Sequence, residues 1–175
     1  MNTISLGKES DKFFEEAWSL YEESFSPVLK RLKEAQLKVM QHPLYHCDVI
    51  IEDQNLVGFL FWWDFDSCSY IEYFAISSSQ RNSGVGKKVL ENFIESCEKP
   101  IILEVELPHG DIDKRRIGFY QRIGFKLNDF KYVLPPMKEG DEDLELLLMT
   151  YPHEFPKVEV EAFIDQCHPI IMGAY

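Results

Sequence analysis

Apolar positions change period several times along the chain, and each change marks an element. Asn2 to Leu6 alternates polar with apolar residues, which predicts a first strand. Ser10 then stands as an N-cap for a helix whose Phe13, Phe14, Ala17, Trp18 and Tyr21 share one face. Ser26-Pro27 opens a second predicted helix, with Val28, Leu29, Leu32, Ala35, Val39 and Met40 as its stripe. Tyr45 to Ile51 and Leu56 to Phe65 return to period two around Glu52-Asp53-Gln54-Asn55, the pattern of an antiparallel hairpin. Tyr70 to Ile76 is apolar on both alternating faces except at Glu72, as suits an internal strand. Val85, Val89, Leu90, Phe93, Ile94 and Cys97 then recur at helical spacing.

The second half repeats this alternation of strand and helix. Ile101 to Leu107 reads as a strand, Pro108 to Asp111 as a turn, and the stretch from about Asp113 to Ile123 as a helix capped by Gly124. Phe125 to Val133 and Leu144 to Tyr151 read as two final strands separated by the polar loop Pro135 to Asp143. The tail from Pro156 to Tyr175 carries Val158, Phe163, Ile164, Ile170 and Ile171, which suit packing on the sheet or a dimer contact. There are no internal repeats or low-complexity segments.

The most informative stretch joins the Tyr70 to Ile76 strand to the helix after it. Gln80-Arg81-Asn82-Ser83-Gly84-Val85-Gly86 has little side-chain bulk, and its glycines allow consecutive N–H groups to converge on one point. A helix start adds unsatisfied N–H groups and the positive end of the helix dipole, so the arrangement receives anions. Arg81, Lys87 and Lys88 crowd this same end, where the dipole disfavours cations and a bound anion would relieve the conflict.

Composition narrows the choices. At 175 residues, 45% hydrophobic and 14% aromatic, the chain reads as one globular domain. A formal net charge of −12 argues against a nucleic-acid partner and favours a cationic acceptor such as an amine. Cys47, Cys68, Cys97 and Cys167 form no CxxC pair and read as reduced thiols of a cytoplasmic protein. His42 and His46 have a ligand-like spacing, but Pro43 between them opposes a shared helix face, and no metal site is expected. No apolar run reaches membrane length, and the polar start is no signal peptide.

Two common phosphate loops fit poorly. A Walker A loop requires glycine where Arg81 stands, and the dinucleotide fingerprint requires it at Val89, although Glu104 falls near its acidic position. The run Gln80 to Gly86 instead resembles the pyrophosphate loop of the GNAT superfamily, the acetyl-CoA-dependent N-acetyltransferases, with the pattern Gln/Arg-x-x-Gly-x-Gly/Ala. Phe119-Tyr120-Gln121-Arg122-Ile123-Gly124-Phe125 is similar to the family's Phe-Tyr-x-x-x-Gly-Phe segment, and follows a strand at the expected distance. Two positions depart from the pattern: Ser78 replaces the usual Pro after the core strand, and Asp113 replaces an Asn that contacts the cofactor.

The resemblance implies an α/β (α+β) fold, a mixed and mostly antiparallel sheet of about six to seven strands flanked by helices. It implies an acetyltransferase domain over residues 1–151, with 152–175 as a C-terminal extension. Acetyl-CoA is the implied co-substrate, its pantetheine arm beside Phe74, Ala75 and Ile76, with the Ile76 N–H toward the developing oxyanion. Arg81, Asn82, Ser83, Gly84, Val85, Gly86 and Lys87 would hold its pyrophosphate, with Asp113, Phe119 and Tyr120 completing that site. Tyr120 matches the family tyrosine that protonates or orients the coenzyme A sulfur. The segment between the first two strands borders the acceptor pocket, which marks Glu22, Glu23 and Phe25.

For the base, Glu72 is the single ionisable residue of an apolar strand, and burial raises a carboxylate pKa toward neutrality. It serves equally well as a structural carboxylate paired with an Arg or Tyr. Glu104 and Glu106, on one strand face, are the alternatives, and Glu104 also suits a cationic acceptor. Trp62 and Trp63 point to opposite strand faces, so Trp63 is either a wall of the acceptor pocket or core. The expected activity is acetyl transfer to a primary amine of a small molecule or peptide, and the alternative is a non-catalytic acyl-CoA-binding or sensing module.

Overall fold

A computed structural model describes residues 1–135 and 142–173; most of the predicted Pro135 to Asp143 loop lies outside them. Its strands are β1 (Asn2–Ser5), β2 (Tyr45–Glu52), β3 (Asn55–Asp64), β4 (Ser69–Ile76), β5 (Ile101–Glu106), β6 (Lys126–Leu127), β7 (Tyr132–Leu134) and β8 (Leu144–Tyr151). Its α-helices are α1 (Phe14–Ser24), α2 (Lys33–Val39), α3 (Val85–Ser96), α4 (Asp111–Ile123) and α5 (Lys157–Gly173). The strands form one sheet in the order β1-β2-β3-β4-β5-β8-β6, with β7 also paired to β8. Every pairing is antiparallel except that of β4 with β5.

The exception sets the shape of the molecule. The β4–β5 pairing runs from Ser69↔Ile101 to Ile71↔Leu103 and stops there, although β4 continues to Ile76 and β5 to Glu106. It stops where β4 carries a bulge: Phe61 of β3 faces Tyr73 and Trp62 faces Ile71, which leaves Glu72 as the extra residue. A bulge bends its strand and re-aims the side chains around it. Beyond Leu103 the two strands therefore part, and a cleft opens between their C-terminal ends.

Helices cover both faces of the sheet. One core joins Phe14, Ala17 and Tyr21 of α1, and Val160, Phe163 and Cys167 of α5, to Phe59, Phe61 and Tyr73 on the sheet. On the other face, Leu90 of α3 and Ile117 and Tyr120 of α4 pack on Leu60, Ile71 and Leu103. The tail thus forms a helix that shares its core with α1. Phe163, buried, lies 5.4 Å from the ring of Tyr70.

Several local expectations are met in detail. Asp53 and Gln54 both have positive φ, 47° and 64°, as a two-residue hairpin of the primed type requires. Gly124 ends α4 with φ 115°.

Three others are corrected. Helix α1 starts at Phe14 with Phe13 at the cap position, and the carboxylate of Asp11, rather than Ser10, takes the N–H groups of Gly7 and Lys8. The predicted second helix is a 3₁₀ turn over Pro27–Leu29 followed by the short α2, and it leaves Val28 and Leu32 exposed. The predicted strand from Phe125 to Val133 divides into β6 and β7, which brings the strand total to eight.

Asn128 causes that division. Its buried side chain donates to Thr150 Oγ1 at 2.9 Å and accepts the Phe155 N–H at 2.8 Å, tying the start of the tail to β8.

Phe163→Ala is expected to destabilise the protein by about 3–5 kcal/mol. In urea unfolding followed by circular dichroism, the midpoint should fall while the transition stays single, because α5 and α1 share one core.

Candidate active site

The cleft between β4 and β5 has a volume of about 790 Å³. At its mouth, a 3₁₀ turn over Ser78–Gln80 leads into a loop where Asn82 (φ 63°) and Gly84 (φ 89°) are left-handed. These conformations swing the chain into α3, which has no acidic residue in its first turn; the Val85 N–H points at Ser83 Oγ, 3.5 Å away, and the N–H groups after it lack an earlier helical turn to bond to. Gly86 lies against the far wall: a Cβ there would stand 3.3 Å from Ile76 and 3.5 Å from the Phe119 ring. Arg81 and Lys87 are exposed and line the cleft; Arg81 Nε donates to the Ile76 carbonyl at 3.2 Å, while Lys87 lies 3.5 Å from Glu91.

Phe119 and Tyr120 of α4 reach the same cleft from the side of α3. Tyr120 packs between Phe119 and Phe125, and its hydroxyl has no hydrogen-bond partner among the described residues. Burial pushes that hydroxyl up to about 12, so it remains a proton donor. Arg115, Arg116 and Arg122 also line the cleft, and Arg116 pairs with Glu106 at 2.5 Å.

Two carboxylates approach from the opposite face, and their surroundings separate them. Glu72 is enclosed: both its oxygens meet the Arg31 guanidinium at 2.6 Å, and Trp63 Nε1 donates to Oε2 at 3.1 Å. Arg31 is itself 1% exposed and sits over the rings of Tyr45 and Tyr73. Among the described residues Glu104 has no cationic partner. It accepts hydrogen bonds from the hydroxyls of Tyr132 and Tyr70, and burial pushes its carboxyl up to about 7. The two tyrosine donors pull that value down, and the nearby charge of Glu72 pushes it up.

The predicted residues divide between the cleft and its supports. Phe74, Ala75, Ile76, Asn82, Gly84 and Gly86 line the cleft, as do Phe25, Glu72 and Glu104. Ser83 and Val85 do not; Ser83 Oγ donates to the Gln80 carbonyl at 2.6 Å and shapes the loop from outside. Asp113 also stands off the cleft, its carboxylate accepting the Gly110 N–H at 2.9 Å to cap α4. Glu22 pairs with Lys30, and Trp63 is fully buried behind Glu72.

Sequence reasoning missed Arg31, Tyr132 and His168. Arg31 lay inside a stretch misread as one helix, and Tyr132 looked like an ordinary strand aromatic. His168 sits in a tail with no motif.

A mixed sheet splayed at its one parallel pairing, with an anion-receiving loop and helix start at the mouth, defines the α/β class of the N-acyltransferases. The model of the "Acetyltransferase (GNAT) family" matches residues 10–125. A structure from Bacteroides thetaiotaomicron assigned to the GNAT family is 35% identical, with a TM-score of 0.90 over 99% of each chain. This chain belongs to the GNAT acetyltransferase family.

Bacillus subtilis (strain 168) YjbC is 35% identical over 81 residues, which is 45% of this chain but 42% of that protein. The matched region therefore spans less than half of that relative. A GNAT acetyltransferase from Elizabethkingia anophelis, solved with acetyl-CoA bound, shares the fold at 14% identity, with a TM-score of 0.57 over 85% of this chain and 95% of that one. Among the described residues no helix is long and apolar enough to cross a membrane.

Arg31→Ala is expected to cost about 3–5 kcal/mol, because it leaves the Glu72 carboxylate buried without its cation. Arg31→Met combined with Glu72→Leu should recover most of the loss, as read from the midpoints of urea unfolding.

Proposed function

We propose that this protein transfers an acetyl group from acetyl-CoA to a primary amine of a small molecule or peptide. The observation that carries the reading is the cleft itself, with an anion-receiving helix start at its mouth and a titratable carboxylate, Glu104, on the wall facing Tyr120. Acetyl-CoA supplies a thioester carbonyl to be attacked and a thiolate to leave. The N–H groups opening α3, with Arg81 and Lys87, bind its pyrophosphate. The unpaired edge of β4 from Phe74 to Ile76 receives the pantetheine arm as an added strand would be received, and the Ile76 N–H faces the charge developing on the carbonyl oxygen. The close approach at Gly86 leaves room for such a group where a side chain would fill it.

Glu104 takes the proton that the amine must lose in order to attack. A base whose pKa lies near 7 accepts that proton at neutral pH and can release it afterwards. Tyr120 gives a proton to the departing sulfur. Glu72, the carboxylate favoured on sequence grounds, holds Arg31 instead and keeps the bulge of β4 in place. Glu23 and Phe25 border the side from which the amine enters, beyond the carboxylates. The same reading makes this a cytoplasmic enzyme with reduced thiols, for which all four cysteines are free.

A thermal melt with acetyl-CoA, ATP and NAD at equal concentration tests the cleft. About a hundredfold excess of acetyl-CoA over its dissociation constant should add roughly 2.7 kcal/mol and raise Tm, while ATP and NAD should not. A rise with NAD or ATP alone would overturn the assignment. Binding of acetyl-CoA without acetylation of any amine in a broad panel would favour the alternative, a non-catalytic acyl-CoA-binding module.

The base is tested by the pH profile of kcat/KM on the first amine found active. It should rise as pH climbs through about 7, because Glu104 must lose its proton to act. Glu104→Gln should lower kcat by about 10²–10⁴ and remove that limb. A limb that survives in Glu104→Gln would exclude Glu104 as the base.

A further inference from the structure

Behind the cleft, a buried polar chain runs from β5 to the C-terminal helix. The Tyr132 hydroxyl on β7 donates to Glu104 Oε1, and the Tyr132 hydroxyl oxygen lies 2.6 Å from Nε2 of His168 on α5. Tyr132 is 1% exposed and His168 8% exposed. The His168 ring packs edge-on against Tyr132 at 5.5 Å and Phe163 at 5.2 Å. Burial holds His168 near 4 and therefore neutral, so only one of its ring nitrogens carries a proton. Since Tyr132 spends its proton on Glu104, its oxygen is left as an acceptor toward His168. The network assigns the His168 proton to Nε2.

We propose that Tyr132 and His168 are positioning residues for Glu104. They would fix its carboxylate at the cleft wall and set the pH at which it loses its proton. The inference rests on the reading of Glu104 as the base and goes beyond it, because both residues lie outside residues 10–125, the stretch that the family model matches.

Its physics is direct. A hydrogen bond donated to a carboxylate favours the charged form and lowers the pKa, whereas burial raises it. Glu104 is partly buried at the cleft wall, which raises its pKa, and a donated hydrogen bond brings the charged form back within reach of neutral pH. The Tyr132 hydroxyl supplies that donor. His168, by donating to the Tyr132 oxygen, leaves the hydroxyl hydrogen free to point at Glu104. The other groups facing Glu104 come from β4: the Tyr70 hydroxyl, which also donates, and the Glu72 carboxylate, which Arg31 offsets. From α5 the chain is closed by His168, and from β7 by Tyr132.

The test is a titration of the acetyl-CoA-free protein labelled with ¹³C at the glutamate carboxyl carbons. The Glu104 signal is the one that Glu104→Gln removes. Its midpoint should lie near 7 in the unaltered protein. Tyr132→Phe, which keeps the ring and its packing, should raise the midpoint by about one unit. His168→Ala should raise it in the same direction. His168→Gln, whose amide N–H can stand near the place of Nε2–H, should restore it toward the original value.

Tyr132→Phe and His168→Ala proteins that unfold cooperatively and yet keep the original midpoint would overturn the positioning role. A Glu104 midpoint in the ordinary glutamate range in the unaltered protein would instead overturn the base reading beneath it, so the two failures are told apart.

Discussion

The ion pair between Arg31 and Glu72 sits at the point where the sheet gives way. Glu72 is the extra residue of the β4 bulge, so it shares a face with Tyr73 where regular alternation would send it to the other side. Pairing with β5 ends at Ile71, the residue before it. A carboxylate forced inward at this place requires a cation, and Arg31 meets it with two nitrogens. Replacing such a pair by apolar residues often costs little. Its presence here is better explained by geometry: it fixes the turn before α2 against the bulge at which β4 separates from β5. The cleft follows from that separation.

Each face of the sheet then supplies one side of the cleft lining. The side of α3 and α4 brings free amide groups, arginines and the Tyr120 hydroxyl, all suited to an anionic ligand and its leaving sulfur. The side of α1, α2 and α5 brings carboxylates, suited to a cationic amine. In a chain of net charge −12, this concentration of positive groups around one helix start is local. It would orient a ligand carrying several negative charges.

The two motifs were legible because each consists of neighbours in sequence. Gly84 announces a left-handed backbone that side chains rarely adopt and Gly86 a close approach to Ile76 and Phe119, while the Phe119-Tyr120 pair follows its strand at a fixed distance. Arg31, Tyr132 and His168 gave no such signal. Arg31 meets Glu72 across 41 positions, Tyr132 meets Glu104 across 28, and His168 meets Tyr132 across 36. No periodicity encodes contacts of that kind. The missed break between β6 and β7 has the same origin, since Asn128 satisfies its side chain with Thr150 and the Phe155 N–H rather than with sequence neighbours. The stripe assigned to a second helix failed because its apolar residues straddle Lys30 and Arg31, whose inward-facing charges bind Glu22 and Glu72.

The contrast between Glu72 and Glu104 shows why position along a strand cannot by itself name a base. Both are carboxylates on neighbouring strands of one sheet, and sequence alone favoured Glu72 for standing alone among apolar residues. Glu72 is engaged by Arg31 through both of its oxygens and serves the ion pair. Glu104 is answered by neutral hydroxyls, which return part of the burial penalty and leave the group near 7. Fewer donors would keep the proton bound at neutral pH, and a full cation would leave too weak a base. In the proposed mechanism Glu104 therefore relies on tyrosines from two strands and, through Tyr132, on the C-terminal helix. On that reading α5 contributes to the chemistry as well as to the core.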